Sequence, residues 1–309
     1  MNHKISVLVT GANGFIGRHL VPYLASRGYR VIAASRKESV FNDRNIVCAR
    51  LPDLVTPFDW GPLLQDCKAV VHLAGVAHTT AEEHQYDRIN HRATGELAQA
   101  AQRSGTHLVF VSSIAAQSGS FSQSELTEDD TPQPNNAYGR SKLAAEHAVR
   151  TSGASFTILR PVVVYGEGEK GNFATVHKIS RLPVPLPFGK LTAQRSVLSV
   201  QNFCSAVELT LTDSHARGEI LIVSDPTPLS VSELIERYRA NLGRPSGLAP
   251  IPAKWIELFL KASGQSAIWE RIGYPLVARP TKLLALGWVP TGAARYSIWV
   301  NSGNHAVIK

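Results

Sequence analysis

Tyr138, Lys142 and the serine pair Ser112–Ser113 combine a phenol, an amine and two hydroxyls that could handle one proton together. Tyr138 and Lys142 are four residues apart in the sequence, a spacing that puts two side chains on one face of a helix. A phenol has a pKa of ~10 and is a poor base at neutral pH, but a neighbouring ammonium lowers that pKa. Ser112 and Ser113 end an apolar run, where a hydroxyl can hold a reacting oxygen. The set predicts acid–base catalysis at a hydroxyl or a ketone.

A glycine-rich turn near the N-terminus could bind phosphate beside these residues. Gly11, Gly14 and Gly17 stand three apart, between the apolar run Ile5–Thr10 and a helix-like run. A strand that leads through such a turn into a helix directs backbone N–H groups and the helix dipole at one place. Gly11 would permit the tight turn, Gly14 the approach of phosphates, and Gly17 the packing of the helix on the strand. The turn therefore predicts a site for the pyrophosphate of a dinucleotide.

The residues after the second apolar run bear on which dinucleotide would bind. That run ends at Ser35, and Arg36 and Lys37 follow. At this place an acidic residue bonds the ribose 2′-hydroxyl of NAD, whereas a basic residue suits the 2′-phosphate of NADP. Position 35 carries no acid and two cations follow it, so the sequence favours NADP, with NAD as the alternative.

An alternation of strands and helices is needed to position these residues, and the first half of the chain shows one. Apolar runs predict strands, and apolar residues at helical spacing lie between them. The predicted strands are Ile5–Thr10, Arg30–Ser35, Ile46–Ala49, Ala69–Ala74, Leu108–Ser112 and Ser155–Arg160, and the predicted helices are Gly17–Ser26, Trp60–Gln65, Glu82–Arg103 and Tyr138–Thr151. This order indicates an α/β fold with a Rossmann-type doubly wound parallel sheet.

The character of the chain changes after Pro161. Proline and glycine become dense in SRLPVPLPFGK and in NLGRPSGLAPIPAKW, and the alternation weakens. We expect a dinucleotide-binding domain over residues 1–165 and a smaller C-terminal, mainly substrate-binding region over 166–309. One strand near 218–224 is expected to return to the main sheet.

Composition narrows the class of protein. The chain has 309 residues, of which 44% are hydrophobic and 18% charged, as in ordinary globular proteins. No apolar run approaches the ~20 residues of a membrane span. The formal charge of +8 could serve nucleic acid, an anionic membrane or a phosphate-bearing ligand, but the basic residues are scattered without interleaved aromatics, so no nucleic-acid partner is expected. The N-terminus does not suit a signal peptide, and we expect a cytoplasmic protein.

Several other polar residues are expected to be structural. Cys48, Cys67 and Cys204 have neither disulfide nor zinc-site spacing, and we expect buried thiols. His72 lies in an apolar run without a second ligand at usable spacing, so we expect a core histidine and no metal site. The acidic cluster at residues 128–130 is expected to be a solvated loop.

The order of further motifs resembles that of the extended short-chain dehydrogenases/reductases of the NAD-dependent epimerase/dehydratase family. The group most resembled is the nucleotide-sugar epimerases, dehydratases and 4-keto-reductases, and the likeness covers nearly the whole chain. The motifs are TGANGFIG, VVHLAGVAH (Val70–His78), Asn90 in a helix, FVSSIAA (Phe110–Ala116), AYGRSKLAAE (Ala137–Glu146), LRPVVVYG (Leu159–Gly166), RSVLSVQNFCSAV (Arg195–Val207) and LGWVP (Leu286–Pro290).

The resemblance implies roles for individual residues. Ser113, Tyr138 and Lys142 would be catalytic. The implied cofactor contacts are Gly11, Asn13, Gly14, Phe15, Ile16, Gly17, Ser35, Arg36, Lys37, Asp53, Leu54, Leu73, Ala74, Gly75, Tyr138, Lys142, Pro161 and Val164. The implied substrate contacts are Val76, Ser112, Ser113, Asn172 and Arg195, the last two on the diphosphate of a nucleotide sugar, which in this family is often UDP-linked.

The resemblance also implies an assembly and a choice of activities. A homodimer would form through the helices near 82–103 and 138–151, with Leu143, Ala144 and Val149 at the interface. The favoured activity is NAD(P)-dependent reduction at C4 of a UDP-4-keto-6-deoxy sugar in surface-polysaccharide synthesis.

Two other activities are open. The first is a UDP-hexose or UDP-N-acetylhexosamine 4-epimerase, which keeps its cofactor bound. The second, from another class, is a non-catalytic NADP-sensing protein, and the presence of both Tyr138 and Lys142 counts against it. Dehydration is disfavoured, because Ile114 and Ala115 stand where dehydratases carry an acidic pair.

Overall fold

The computed structural model describes residues 5–38, 40–77, 81–168 and 172–291, in which a parallel sheet is covered by helices on both faces. The strands are β1 Ser6–Thr10, β2 Arg30–Ser35, β3 Ile46–Arg50, β4 Ala69–His72, β5 His107–Val111, β6 Phe156–Pro161, β7 Val163–Tyr165, β8 Val197–Ser199 and β9 Ile220–Val223. The helices are α1 Phe15–Ser26, α2 Gly61–Leu64, α3 Glu83–Tyr86, α4 Ala93–Ser104, α5 Ala137–Thr151, α6 Asn172–Ser180, α7 Val200–Thr212, α8 Val231–Asn241, α9 Ala253–Ala262, α10 Ser266–Gly273 and α11 Thr281–Ala285. A π-helix covers Asp87–Arg92, and 3₁₀ turns cover Ile114–Ala116 and Ser214–Ala216.

The main sheet has the strand order β3-β2-β1-β4-β5-β6-β9, and every neighbouring pair is parallel. The order reverses between β1 and β4, and in open α/β sheets the ligand crevice lies beyond the carboxyl ends of the strands at such a reversal. The glycine turn follows β1, so it lies at this crevice. The predicted α/β, doubly wound fold class is confirmed.

The sheet is buried on both faces, which explains its near-continuous apolar strands. In β1, Val7 and Val9 belong to one core cluster and Leu8 to the other, as the two-residue period of a strand requires. The first cluster also contains Phe203 and Trp288 from the second half of the chain. The two halves of the chain therefore share one hydrophobic core.

A strand from the second half of the chain, β9, also belongs to the main sheet. β9 pairs in parallel with β6, from Ile158 opposite Ile220 to Pro161 opposite Val223. β7 and β8 form a separate two-stranded parallel sheet. The predicted division at residue 165 therefore does not separate two hydrophobic cores.

The predicted helix over 82–103 is divided in the structure. α3, the π-helix and α4 follow one another without a break. The wider π turn carries Asn90, whose side chain is buried. Hydrophobic periodicity could not place this change, since the apolar spacing continues across it.

Three residues have surroundings that differ from those expected from the sequence. Cys48 is exposed because β3 is the edge strand of the sheet, whereas Cys67 and Cys204 are buried as expected. Glu128 is half-buried and accepts hydrogen bonds from the N–H groups of residues 222 and 282, at 3.1 and 3.3 Å. Val149 is fully buried in the core and is not available to a partner subunit.

Among the described residues, no helix has both the length and the apolar character that crossing a bilayer requires.

Candidate active site

The glycine turn after β1 leaves a helix N-terminus free of side-chain caps. Gly11 has a φ of +72°, and a Cβ there would lie 3.0 Å from the backbone nitrogen of Ala74. A Cβ on Gly17 would overlap the carbonyl oxygens of Gly11 and Ala12. α1 begins after Gly14, and no side chain caps its first turn. The first N–H groups of α1 can therefore receive phosphate oxygens.

The loop after β2 is hydrogen-bonded to this turn. Asn13 Nδ2 donates to the carbonyl oxygens of Lys37 at 2.9 Å and Glu38 at 3.1 Å. Ser35 Oγ also donates to the Lys37 carbonyl, at 2.5 Å. The side chains of Arg36 and Lys37 are exposed. These bonds hold the segment with the two cations against the glycine turn.

The segment after β4 is positioned from β1 and from the π-helix. Thr10 Oγ1 accepts the N–H of Ala74 at 3.2 Å. Asn90 Oδ1 accepts the N–H of Val76 at 2.8 Å, and its Nδ2 donates to the Val76 carbonyl at 3.0 Å. A Cβ on Gly75 would lie 2.9 Å from Asn90 Oδ1 and 3.7 Å from Lys142 Nζ. Gly75, one of the residues predicted from the fourth strand, therefore lies beside Lys142.

His72 is the core histidine that we expect from the sequence. Its Nδ1 lies 2.8 Å from Thr10 Oγ1, and its Nε2 is buried without a partner among the described residues. Burial, followed by the nearby charge of Lys142, lowers the pKa of His72 to about 3. The ring is therefore neutral at physiological pH and supports the site without titrating in it.

Tyr138 lies in the first turn of α5, beside Ser113. Asn136 caps this helix by accepting the N–H of Gly139 at 2.8 Å. A Cβ on Gly139 would overlap the carbonyl of Ala115, so the glycine lets the helix start lie against the turn that follows Ser113. Ser113 is a hydrogen-bonding neighbour of the Tyr138 phenol and lowers its pKa. Strand end and helix start thus bring together the hydroxyl and the phenol that the sequence predicts to act together.

The protonation of Tyr138 differs from our expectation. Burial raises the pKa of Tyr138 to about 12, although the hydrogen bond from Ser113 lowers it, and the nearby Tyr86 raises it further. Tyr86 lies with its ring centroid 6.1 Å from that of Tyr138. The predicted lowering of the Tyr138 pKa by Lys142 is therefore wrong for this structure, because desolvation outweighs the opposing effects. The phenol carries its proton at neutral pH and is arranged to donate it.

Lys142 is buried and faces the carboxyl end of β5. Its Nζ donates to the Val111 carbonyl at 2.9 Å and lies 4.8 Å from the centroid of the Phe110 ring. Burial lowers the pKa of Lys142 to about 8, while Glu146 raises it. The amine remains a cation at neutral pH and can stabilise negative charge near Tyr138.

A buried ion pair between Glu146 of α5 and Arg160 of β6 fixes the helix to the sheet. The sequence did not predict this pair. Glu146 accepts from Arg160 Nη2 at 2.6 Å and from Arg160 Nε at 3.0 Å. Ser112 Oγ donates to the same carboxylate at 2.5 Å. The Ser112 hydroxyl is therefore bonded to this buried carboxylate, whereas Ser113 is the serine that lies beside Tyr138. The i, i+4 spacing of Lys142 and Glu146 places the carboxylate on the lysine's face of α5, but it does not predict Arg160 as its partner.

The remaining predicted cofactor residues have varied surroundings. Asp53 is exposed, and its carboxylate accepts the N–H of Val55 at 3.3 Å. Leu54 is buried in the second core cluster. Four of these predicted residues are half-buried, namely Phe15, Ile16, Leu73 and Val164. Pro161 is buried at the end of β6.

The two residues predicted to bind diphosphate lie in the second half of the chain. Asn172 begins α6, and its side chain lies outside the described part of the structure. Arg195 Nη1 donates to the Tyr274 carbonyl at 2.6 Å, and its Nη2 donates to the Ser120 carbonyl at 2.9 Å. Burial, followed by the charge of Arg271, lowers the pKa of Arg195 to about 10. The guanidinium thus joins the segment beyond Ser113 to the segment beyond α10.

Comparisons with known proteins agree with this geometry. The model of the NAD dependent epimerase/dehydratase family matches residues 7–223. UDP-glucose 4-epimerase of Vibrio cholerae is 29% identical over 298 residues, which cover 92% of this chain and 90% of that protein. Ceramide reductase of Caulobacter vibrioides is 31% identical over 271 residues, which cover 78% of this chain and 80% of that protein.

One solved structure is also similar to this chain in its fold. MoeE5 in complex with UDP-glucuronic acid and NAD has a TM-score of 0.74 and 26% identity, covering 93% of this chain and 94% of that one. The family match spans well over half of the chain and includes the glycine turn and the Ser113, Tyr138 and Lys142 site. The chain therefore belongs to the NAD-dependent epimerase/dehydratase family.

Proposed function

We propose that this protein reduces the C4 ketone of a UDP-4-keto-6-deoxy sugar with NADPH. The observation that carries the proposal is the meeting of Ser113, Tyr138 and Lys142 at the end of β5, beside the uncapped glycine turn after β1. A proton donor next to a dinucleotide site is what ketone reduction requires.

The residues present fit a reduced dinucleotide, which when bound supplies the hydride for the ketone carbon. The first N–H groups of α1 would hold its pyrophosphate. Arg36 and Lys37 are exposed beside that turn and would meet a 2′-phosphate. No acidic residue stands at position 35 to bond the free 2′-hydroxyl of NAD. These features favour NADPH.

The chain's own residues handle the proton. The Ser113 hydroxyl would hold the ketone oxygen near the phenol, and Tyr138 would give its proton to that oxygen as the carbon becomes tetrahedral. The resulting phenolate is stabilised by the Lys142 cation until it takes a proton from solvent. The product is a C4 hydroxyl, with one hydrogen on carbon from the hydride and one on oxygen from Tyr138.

A 4-epimerase is the second candidate, because a UDP-glucose 4-epimerase is similar over 92% of the chain. An epimerase would use Tyr138 first as base and then as acid, and would end with its cofactor unchanged. The raised pKa of Tyr138 suits the acid step better than the base step. A non-catalytic dinucleotide sensor is less well supported, since the full catalytic set is present.

One assay separates these functions. The purified protein is mixed with NADPH or NADH and a UDP-4-keto-6-deoxy sugar, and cofactor absorbance is followed. In parallel, UDP-glucose and UDP-N-acetylglucosamine are tested for interconversion without net redox change. We expect NADPH consumption that exceeds NADH consumption and tracks formation of the 4-hydroxy sugar.

Other outcomes would contradict the proposal. Interconversion of a UDP-hexose without cofactor loss would establish the epimerase. A long-chain keto lipid belongs in the assay because a ceramide reductase is among the relatives, and turnover of that lipid alone would contradict a nucleotide-sugar substrate.

A further inference from the structure

Helix α9 presents a large apolar face that the catalytic site does not use. Trp255, Leu258 and Phe259 are 68%, 62% and 70% exposed. Their spacing of i, i+3 and i+4 places them on one side of the helix, together with the exposed Ala262. Exposed aromatic and aliphatic side chains gathered on one helix face indicate an interaction surface.

The chain that leads into α9 carries further exposed apolar side chains. Segment 181–190 is hydrogen-bonded to segment 244–251, for example from Gly189 N to the Ala249 carbonyl at 3.0 Å. These two segments expose Leu182 by 46%, Val184 by 50% and Ile251 by 39%. We call α9 and these two segments the α9 surface.

Cations surround the apolar residues of the α9 surface. The exposed basic side chains are Lys254 and Lys261 on α9, and Arg181, Lys190 and Arg244 on the adjoining segments. Lys261 pairs with the half-buried Glu257 at 2.6 Å. The whole chain carries a formal charge of +8. An apolar face bordered by cations complements a surface that is apolar within and anionic at its edge.

We propose that the α9 surface binds the anionic phospholipid surface of a membrane as a peripheral, in-plane anchor. α9 has 10 residues and is therefore about 15 Å long, too short to span a bilayer. A short amphipathic helix with Trp, Phe and Leu on one face and Lys at its border is the type that lies in the headgroup region. Basic residues add attraction to anionic lipids.

A second copy of the chain is a poorer match to the same surface. Two α9 surfaces brought face to face would place their bordering cations against one another, and like charges across an interface oppose association. An anionic bilayer removes that repulsion. Charge therefore favours lipid over self-association.

The proposed surface is attached to the active-site side of the molecule. α10 packs beside α9, and Arg195 joins the Tyr274 carbonyl just beyond α10 to the Ser120 carbonyl. The rings of Phe121 and Tyr274 are also in contact, with centroids 5.0 Å apart and planes tilted by 49°. Membrane binding would hold the chain segment downstream of Ser113 near the bilayer. This inference does not depend on which ketone or sugar the enzyme uses.

Vesicle flotation with the full chain tests the proposal. We expect the protein to float with phosphatidylcholine vesicles that contain about 30% phosphatidylglycerol, and to float far less with pure phosphatidylcholine. Raising the salt from about 0.1 M to 0.5 M should lower the bound fraction, because salt screens the attraction. Equal binding to both kinds of vesicle would overturn the anionic-membrane proposal.

Paired variants locate the effect. Leu258→Gln with Phe259→Gln should weaken partitioning at least about 10-fold, since two apolar side chains would no longer be buried in lipid. Val289→Gln, at a position that is 80% exposed outside α9, should leave partitioning unchanged. Circular dichroism checks that each variant is folded. Unchanged binding by the double variant would overturn the proposal, and so would concentration-dependent self-association through these residues without vesicle binding.

Discussion

The buried amine of Lys142 couples the catalytic site to stability. Burial lowers its pKa from 10.5 to about 8, whereas in the unfolded chain it keeps its ordinary value. Between about pH 8 and 10.5 the unfolded state therefore binds more protons than the folded state, and stability rises with pH across that range. Below pH 8 the folded protein carries the buried charge at a cost on the order of 3 kcal/mol.

Replacing this lysine should separate activity from stability. We expect Lys142→Met to reduce turnover at least about 100-fold, while its melting temperature at pH 7 is equal to or higher than that of the wild type. The stability increase between pH 8 and 10.5 should also be smaller in the variant. Thermal unfolding at pH 7 and pH 10 checks both statements, with the exposed Lys68→Met as control. A melting temperature several degrees lower at pH 7 would contradict the account.

The residues that we propose to act on the substrate could be predicted from the sequence, whereas the buried residues that support them could not. Tyr138 and Lys142 are visible because a helical period joins them, and Ser113 because it ends an apolar strand. Arg160 is buried against Glu146 from a different strand, and nothing local to residue 160 predicts that partner. The pKa of Tyr138 likewise depends on how deeply the finished fold covers it.

At the scale of elements, α5 is fixed to the sheet by the Glu146–Arg160 ion pair. Both side chains are buried, and the carboxylate also receives the Ser112 hydroxyl. Removing one member of a buried pair leaves an uncompensated charge, which costs far more than breaking an exposed pair. The same helix carries an exposed ion pair, between Arg140 and Glu83 at 2.8 Å.

These two ion pairs give a matched comparison. We expect Glu146→Gln to lower the free energy of unfolding by about 3 kcal/mol or more, and Arg140→Gln to lower it by less than about 1 kcal/mol. Urea denaturation of both variants and the wild type is the measurement. Similar losses of unfolding free energy in the two variants would contradict the larger contribution that we expect from the buried pair.

The glycine turn makes a second prediction for an element. Gly17→Ala would press a methyl group against the Gly11 and Ala12 carbonyls, and we expect dinucleotide affinity to fall at least about 10-fold with a stability loss of about 1–3 kcal/mol. Gly95→Ala in α4 meets the Ala148 methyl at 3.4 Å, and helix propensity should keep its effect on stability neutral or favourable by up to about 1 kcal/mol. Calorimetric titration with NADPH and thermal unfolding test the pair. Full cofactor affinity in Gly17→Ala would contradict the assigned role of the turn.

The ends of helices and strands could be predicted where the local sequence pattern determines them. β2 begins and ends as predicted, and α5 begins one residue earlier, because apolar runs and Asn136 mark their ends. The π turn at Asp87–Arg92 was not predictable, since its reason is the pairing of Asn90 with Val76 on another segment. The role of α9 could not be predicted from the sequence, because an amphipathic pattern does not show what covers the apolar face of a helix.

At the scale of the whole molecule, α4 and α5 offer an outward face for a second subunit. On α5, Leu143 and Ala144 are half-buried while Val149 points into the core. We expect a homodimer through this face, and Ala144→Arg should make the protein monomeric because a bulky cation would meet the facing helix. Light scattering after size-exclusion chromatography gives the mass, with the exposed Ala240→Arg in α8 as control. A monomeric wild type, or an unchanged dimer in Ala144→Arg, would contradict this arrangement.

The most direct test of the proton-transfer account is Tyr138→Phe, which removes one oxygen and keeps the ring. Turnover and NADPH affinity of the variant are compared with those of the wild type and of Tyr86→Phe, whose ring lies 6.1 Å away. We predict that Tyr138→Phe loses about 100- to 10,000-fold in kcat while it binds NADPH as the wild type does, and that Tyr86→Phe stays near wild-type turnover. Wild-type kcat in Tyr138→Phe would contradict the assignment of this phenol as the proton donor.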